Sequence, residues 1–333
     1  MTVPGFEVLD LLGKGGMGEV YEARDTRTDR PAAIKILLAE QMSPAGRSRF
    51  EREARAMLSV DHPHVCSAYD YGSLDDGRLY LAMERLYGED LSERLKRESC
   101  LPTDVAVQVA MQVSSALART HSRGVLHRDV KPSNLFLAGE ADSAIDVKVL
   151  DFGLAVATGQ EDLGRVTRTG EIIGTPAYMS PEQARGERNL DERSDIYSLG
   201  AVLYHMLTGR PPHGMDAPLA ILVRMLTEPV APVRDIRPGV PAELNELVCN
   251  MLARDSDQRP ANMLHVERAL RELDPTELVA KADDVALAPT DTRQGSTGEL
   301  STERRLLTAM VAAGVDNLKD VIASIQAQGG LPV

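Results

Sequence analysis

The feature that most constrains this chain of 333 residues is a short polar segment, His-Arg-Asp-Val-Lys-Pro-Ser-Asn, at residues 127–134. A strand-like run at 146–150 follows it, and Asp-Phe-Gly at 151–153 comes directly after that run. Because residues 146–150 alternate in polarity, they predict a β-strand, with the first segment as a loop and the last as a turn. The polar side chains of the loop and the turn are therefore expected to surround one pocket.

The predicted pocket contains two carboxylates, an ammonium and an amide, from Asp129, Asp151, Lys131 and Asn134. These groups suit phosphoryl transfer, because a carboxylate can hold the attacking hydroxyl and a cation can face the moving phosphate. Amide and carboxylate oxygens are also ligands of hard divalent cations, which indicates Asn134 and Asp151 as metal ligands. The alternative, an ordinary polar loop before a turn, needs a chance agreement of nine identities, at odds below about one in a hundred million.

These residues resemble the catalytic loop and the metal-binding turn of the eukaryotic-type Ser/Thr protein kinase family, and they are most similar to its bacterial branch. The resemblance implies an α+β fold of two lobes, with a small antiparallel-sheet N-lobe that carries one main helix and a larger, mainly helical C-lobe. It covers residues 6–274, with the N-lobe at about 6–84 and the C-lobe at about 88–274.

A glycine pattern, Gly13, Gly15 and Gly18, lies between two strand-like runs. A dinucleotide-binding fingerprint needs a helix directly after its glycines, whereas residues 19–23 continue a strand alternation. A P-loop needs Ser or Thr after its lysine, and Lys14 is followed by Gly. The pattern therefore predicts a hairpin whose backbone N–H groups face phosphates.

Lys35 lies in the next predicted strand, and by resemblance it holds the α- and β-phosphates of a nucleotide. A strand lysine is more often a solvated edge residue, but its position after the glycine hairpin favours the phosphate role. A helix is predicted over residues 45–59 from an apolar stripe of Phe50, Ala54, Met57 and Leu58. Glu51 and Glu53 flank this stripe about equally. Only the family pattern Arg-Glu-Ala at 52–54 selects Glu53 as the partner of Lys35.

The rest of the nucleotide pocket is implied by resemblance around the strand at 79–84 and the linker at 85–88. Met83 would lie at the back of the pocket, although it also suits plain core. The backbones of Glu84 and Leu86 would meet the adenine edge, and Asp90 would reach the ribose. The remaining residues assigned to the pocket are Leu12, Val20 and Ala33.

A long polar segment runs from Asp151 to Glu182 and is predicted to be functional or mobile. By resemblance its Thr167 and Thr169 are phosphorylation sites, although both also suit ordinary solvated threonines. Arg128 favours phosphorylation, because this arginine would lack a partner unless a phosphate or carboxylate reached it. A phosphate paired with it would order the segment.

Residues 174–182 resemble the family's substrate platform, with Ser-Pro-Glu at the end where Ala-Pro-Glu is the commonest form. Thr175 in this platform, together with Lys131, is typical of Ser/Thr rather than Tyr kinases.

Three further residues are implied to hold the architecture of the C-lobe. Asp195 would accept backbone donors from the catalytic loop and keep it rigid, and Glu182 would pair with Arg259. A buried pair of this kind fixes the architecture, and loss of one partner would be costly.

Charge and hydropathy limit the partners of the chain. A net charge of −13 argues against broad nucleic-acid binding and against anionic membrane surfaces. No secretory signal is recognisable and no apolar run approaches the ~20 residues of a membrane span, so a cytoplasmic protein without a membrane segment is expected. Residues 275–302 are predicted to be a linker. The tail at 303–333 is too short to bury a core alone, so it either docks on the kinase domain or begins a truncated further domain.

The function implied is transfer of the ATP γ-phosphate to Ser/Thr hydroxyls of proteins, with Mg²⁺ or Mn²⁺, and autophosphorylation of the 151–182 segment, for which a homodimer would bring two copies together. One alternative is a nucleotide-binding pseudokinase scaffold, which usually lacks the strand lysine, the loop aspartate or the metal aspartate. Lys35, Asp129 and Asp151 are all present. Another alternative is a regulatory module for a downstream domain.

Overall fold

The N-lobe is built on one antiparallel sheet. The computed structural model describes residues 2–15, 18–37, 44–139, 145–152, 176–187, 189–274 and Leu278. The five-stranded sheet of the N-lobe has the order β1-β2-β3-β5-β4. The strands are β1 Phe6–Gly15, β2 Gly18–Asp25, β3 Pro31–Leu37, β4 Ala68–Ser73 and β5 Leu79–Glu84. The predicted glycine hairpin is thus the β1–β2 connection.

Side-chain alternation gives this sheet two faces. Ile34 and Ile36 of β3 pack on one face with Phe6 and the other members of an apolar cluster. On the opposite face, helix α1 (Pro44–Leu58) buries Phe50 and Ala54 against Leu79 and its neighbours. The predicted stripe fails at its last member, because Leu58 ends the helix and its side chain is 40% exposed.

The C-lobe contains helices packed around a long apolar one. The helices are α2 Leu91–Glu98, α3 Thr103–His121, α4 Pro181–Ala184, α5 Glu192–Thr208, α6 Pro218–Thr227, α7 Val233–Ile236, α8 Ala242–Met251 and α9 Met263–Arg271. Most residues of α5 are buried, as its nearly continuous apolar sequence predicts, and Gly209 ends it in the left-handed conformation. Helix α3 ends at His121.

A small second sheet positions the catalytic segments. It has the order β6-β7-β8, from β6 Gly88–Asp90, β7 Leu135–Ala138 and β8 Asp146–Val149. Leu135 pairs with Val149 in an antiparallel register, so the loop before β7 lies beside the turn after β8. The Leu150 amide also donates to the Asn134 carbonyl at 2.9 Å. The sheet thereby brings the two diagnostic segments together, as the sequence predicted.

No helix in the described part of the chain is long and apolar enough to cross a membrane.

Gly200 in α5 marks a close contact with α8. A Cβ at this position would lie 2.8 Å from the Met251 Cβ, which is too close for two carbons. Alanine should raise helix propensity, but overpacking a buried contact typically costs about 1–3 kcal/mol. We therefore expect Gly200→Ala to lower the free energy of unfolding, measured by urea denaturation. Unchanged or increased stability would mean that helix propensity outweighs the clash.

Candidate active site

A cleft between the two sheets has a volume of about 480 Å³, within the usual range for small-molecule sites. Eight residues predicted for the site line it: Leu12, Val20, Ala33, Lys35, Met83, Glu84, Leu86 and Asp151. The strand register explains much of this set. Val20 lies opposite Lys35 and Ala33 lies opposite Met83, so these four side chains share one face of the sheet.

The sequence patterns did not indicate three further apolar residues of the cleft, Cys66, Phe136 and Leu150. Leu150 directly precedes Asp151, so its position alone was a usable signal. Cys66 lies between α1 and β4, where no periodicity applies. Burial raises the pKa of its thiol to about 12, which keeps the thiol protonated.

The three predicted glycines differ in their surroundings. A Cβ at Gly13 or at Gly15 would meet no atom of the described residues within 4 Å. At Gly18 it would lie 2.0 Å from the Ile36 carbonyl oxygen, so this glycine is required for the close approach of β2 and β3.

Asp129 is held by two neighbours of the same loop. Lys131 Nζ donates to Asp129 Oδ2 at 2.7 Å, and Asn134 Nδ2 donates to the same oxygen at 3.1 Å and to the Asp129 carbonyl at 2.8 Å. A 3₁₀ turn at Pro132–Asn134 places the asparagine for these bonds. The arrangement fixes the direction of the carboxylate and keeps a cation beside it.

Lys35 and Asp151 face each other across the cleft. Lys35 Nζ lies 2.6 Å from Asp151 Oδ2, with the lysine side chain buried and the aspartate largely so. Burial alone would raise the pKa of Asp151, but the charge and hydrogen bond of Lys35 lower it below its usual value. Asp151 therefore stays ionised. Its φ of 58° lies in the left-handed region, a conformation that costs about 1–3 kcal/mol and is concentrated at functional sites.

The predicted ion pair between Lys35 and Glu53 is not formed in this structure. Both side chains are described, and Lys35 pairs with Asp151 while Glu53 Oε1 lies 3.6 Å from Arg128 Nη1. Glu53 is buried, and α1 directs it towards Arg128 of the catalytic loop. The position of the helix relative to that loop, which periodicity does not report, decides the partner.

Asp90, predicted to reach the ribose, caps a helix. Its Oδ1 accepts from the backbone N–H groups of Ser92 at 2.8 Å and Glu93 at 3.0 Å, at the start of α2. It does not belong to the lining of the cleft.

The backbone of the catalytic loop is anchored by Asp195 of α5. Asp195 Oδ2 accepts from His127 N at 2.8 Å, and Oδ1 accepts from Arg128 N at 2.7 Å, the contacts that the resemblance implied. The ring of His121 also bonds Oδ2, at 2.7 Å. Burial would raise the pKa of Asp195, but the His121 hydrogen bond and charge lower it. This carboxylate therefore remains charged although it is 1% exposed.

The pair of His121 and Asp195 makes stability depend on pH. Burial would lower the pKa of His121, but the hydrogen bond and charge of Asp195 raise it above the usual 6.5. The stability contributed by the protonated ring is fully present below pH 6.5 and is lost as the pH rises through the raised pKa. We expect His121→Gln to cost about 1.5–3 kcal/mol at acidic pH and less at alkaline pH, measured by urea titrations across this range. A cost that does not vary with pH would contradict the charged pair.

Glu182 and Arg259 form the predicted buried pair, with two parallel contacts of 2.7 and 2.8 Å. Ser194 Oγ donates to Glu182 at 2.7 Å. Burial would raise the pKa of Glu182, but Arg259 lowers it. The pair joins α4 to the segment before α9.

Several predictions fall on residues outside the described part of the chain. These are the turn glycine Gly153, the two phosphorylation sites and the platform threonine (Thr167, Thr169 and Thr175), the linker at 275–302 apart from Leu278, and the tail at 303–333.

The small sheet lobe, the helical lobe and the cleft between them, with Asp129, Lys131, Asn134 and Asp151 beside it, form the two-lobed architecture that the sequence predicted. The family described as "Protein kinase domain" matches residues 6–271. The chain belongs to the protein kinase family, whose members use ATP and a divalent cation.

Bacterial relatives place it within that family. Serine/threonine-protein kinase pkn3 of Myxococcus xanthus is 38% identical over 276 residues, which cover 81% of this chain and 50% of that protein. PknB of Mycobacterium leprae is 39% identical over 258 residues, covering 76% of this chain and 40% of PknB. The solved PknI kinase domain of Mycobacterium tuberculosis aligns with a TM-score of 0.65 at 27% identity, over 82% of this chain and 97% of that one.

These similarities confirm the predicted family, its bacterial branch, the two-lobed fold and a protein kinase domain of the Ser/Thr type. The chain spans about half the length, or less, of the curated relatives it matches.

Proposed function

We propose that the protein is an ATP-dependent Ser/Thr protein kinase that transfers the γ-phosphate to hydroxyls of protein substrates. The observation that carries this proposal is the oriented cluster of Asp129, Lys131 and Asn134 beside Asp151, next to a cleft of about 480 Å³. Phosphoryl transfer asks for little covalent chemistry from the protein, so positioning and charge stabilisation account for most of the rate.

Different residues of the cleft would bind different parts of the nucleotide. Lys35 and the backbone near Gly13 and Gly15 would bind the phosphates. Met83, with the backbones of Glu84 and Leu86, would adjoin the adenine. Lys148 Nζ lies 3.3 Å from the Glu84 carboxylate, which supports a main-chain rather than a side-chain role for Glu84.

Asn134 and Asp151 fit a hard divalent cation, Mg²⁺ or Mn²⁺. The Asn134 amide nitrogen is turned towards Asp129, so its oxygen is directed away from that carboxylate. An amide oxygen and an ionised carboxylate are suitable donors for such a cation. The bound cation would neutralise charge on the phosphates.

Asp129 would hold the substrate hydroxyl in line with the γ-phosphate and accept its proton. Lys131, 2.7 Å from Asp129, would offset negative charge on the transferred group.

Thr167 and Thr169 would be autophosphorylated, with two copies of the chain meeting so that one phosphorylates the other. Support comes from Arg128, whose side chain is only partly buried and lies 3.6 Å from Glu53 Oε1, beyond hydrogen-bond distance. A phosphate would offer this guanidinium a stronger, charge-assisted contact.

The test is transfer of label from γ-labelled ATP by the purified full chain to a generic basic protein, with Mg²⁺ and with Mn²⁺, followed by mapping of the labelled residues. Label is expected on Ser/Thr of the substrate and on Thr167 or Thr169 with wild type, and on neither with Asp151→Asn. Nucleotide binding without any transfer by wild type would overturn the proposal in favour of a nucleotide-binding scaffold.

A further inference from the structure

Gln183 of α4 is a buried side chain that the mechanism above does not use. Its Oε1 accepts from the Ser180 backbone N–H at 3.0 Å, and its Nε2 donates to the Arg128 carbonyl at 2.7 Å. Because one partner is a donor and the other an acceptor, only one orientation of the amide satisfies both. A single side chain thus joins α4 to the loop that carries Asp129.

The carbonyl that Gln183 binds belongs to a strained residue. Arg128 has a φ of 64°, in the left-handed region that favours glycine. Such a residue can relax by rotation of either peptide plane beside it. Asp195 binds the N–H of the plane before Arg128 at 2.7 Å, so rotation of that plane would break a buried, charge-assisted bond.

The plane after Arg128 is held at both of its polar ends. Gln183 binds its carbonyl, and His127 Nδ1 accepts from its N–H, the Asp129 amide, at 3.2 Å. Rotation of this plane changes ψ of Arg128 and φ of Asp129 together. Wherever the two changes do not cancel, the Cα–Cβ bond of Asp129 turns as well, and the carboxylate moves relative to Lys131 and Asn134.

We propose that Gln183 is a positioning residue, which holds the Arg128–Asp129 peptide plane and thereby sets the direction of Asp129. Because Gln183 follows the platform segment by one residue, displacement of that segment would reach the catalytic loop through this amide. The effect of Gln183 on catalysis rests on the role proposed for Asp129, whereas its effect on the conformation of the catalytic loop does not depend on that role.

The chain offers a matched control in Gln112 of α3. Its amide likewise bonds two backbone groups, with Nε2 donating to the Ile145 carbonyl and Oε1 accepting from Val147 N, both at 2.8 Å. Methionine has a similar length and shape but neither the donor nor the acceptor. Gln183→Met and Gln112→Met therefore each remove one donated and one accepted hydrogen bond to the backbone. Only Gln183→Met removes a bond to the catalytic loop.

The first measurement is steady-state kinetics of the full chain, at a temperature where circular dichroism shows all variants folded. We expect Gln183→Met to lower kcat by about 10- to 100-fold with KM for ATP changed less than about twofold, because Gln183 does not line the cleft. Gln112→Met should change kcat less than about twofold for a similar loss in Tm. Equal effects of the two variants on kcat would overturn the proposal.

The second measurement is hydrogen–deuterium exchange of the peptide that covers residues 125–134, without nucleotide. Exchange should be faster in Gln183→Met than in wild type or Gln112→Met, and unchanged exchange would also overturn the proposal. If wild type transferred no phosphate, the proposed function would fail, whereas this exchange would still decide whether Gln183 holds the loop.

Discussion

Replacing Asp129 by Asn is expected to lower kcat by about 10²- to 10⁴-fold while the fold is retained. The carboxylate lies 2.7 Å from Lys131 and 3.1 Å from the Asn134 amide, so an isosteric amide can occupy the same place. It cannot accept the proton of a substrate hydroxyl, and it would leave Lys131 without its counter-charge. Because the change is confined to the loop, KM for ATP should move little.

Asp76→Asn is the control for this experiment, because it removes a carboxylate from an exposed pair with Arg78, and neither residue lines the cleft. That variant should retain wild-type kcat. If Asp129→Asn kept more than about a tenth of the activity, Asp129 could not be the residue that accepts the proton.

Replacing Arg259 by Met is expected to lower the free energy of unfolding by about 3–5 kcal/mol. The Arg259 side chain is fully buried and donates to both Glu182 oxygens and to the carbonyls of Ala253 and Arg193. Methionine fills a similar volume but leaves the Glu182 carboxylate buried without its counter-charge. For a domain of this size the loss corresponds to about 6–20 °C in Tm, measured by thermal denaturation.

Two further variants make this result interpretable. Arg24→Met removes an exposed pair with Asp29 and should leave Tm unchanged within error, since solvent screens such pairs. Adding Glu182→Gln to Arg259→Met should recover part of the lost stability, because it removes the carboxylate that no longer has a counter-charge. A single variant Arg259→Met as stable as Arg24→Met would show that the buried pair does not hold the lobe.

The sequence predicted those parts of the fold that depend on local patterns. The β1–β2 hairpin follows from glycines between alternating runs, and α5 follows from a long apolar segment that ends at Gly209. The catalytic loop came from a motif whose residue types suit one chemistry, and its anchor, Asp195, came from the resemblance to the family. These features need no knowledge of how distant elements are oriented.

Contacts set by the relative placement of elements were harder to predict. Periodicity could not choose between Glu51 and Glu53, and the family pattern chose the buried one but assigned the wrong partner. The packing of Phe50 against the sheet orients α1, and this orientation determines which cation lies near Glu53. The bond from Gln183 to Arg128 spans 55 residues, and nothing local to either residue indicates it.

Under the proposed function, the ion pair between Lys35 and Asp151 would couple the binding of an anion to the binding of a cation in this cleft. A phosphate alone would draw the Lys35 ammonium away and leave the Asp151 carboxylate without a counter-charge. A divalent cation alone would leave the ammonium without its counter-charge. When both ligands are bound, the 2.6 Å ion pair between Lys35 and Asp151 is replaced by two pairs, one between Lys35 and the phosphate and one between Asp151 and the cation. Each should therefore raise the affinity for the other by the same factor, since a coupling free energy is reciprocal. The resting cleft would in this way favour the metal–nucleotide complex over either of its components.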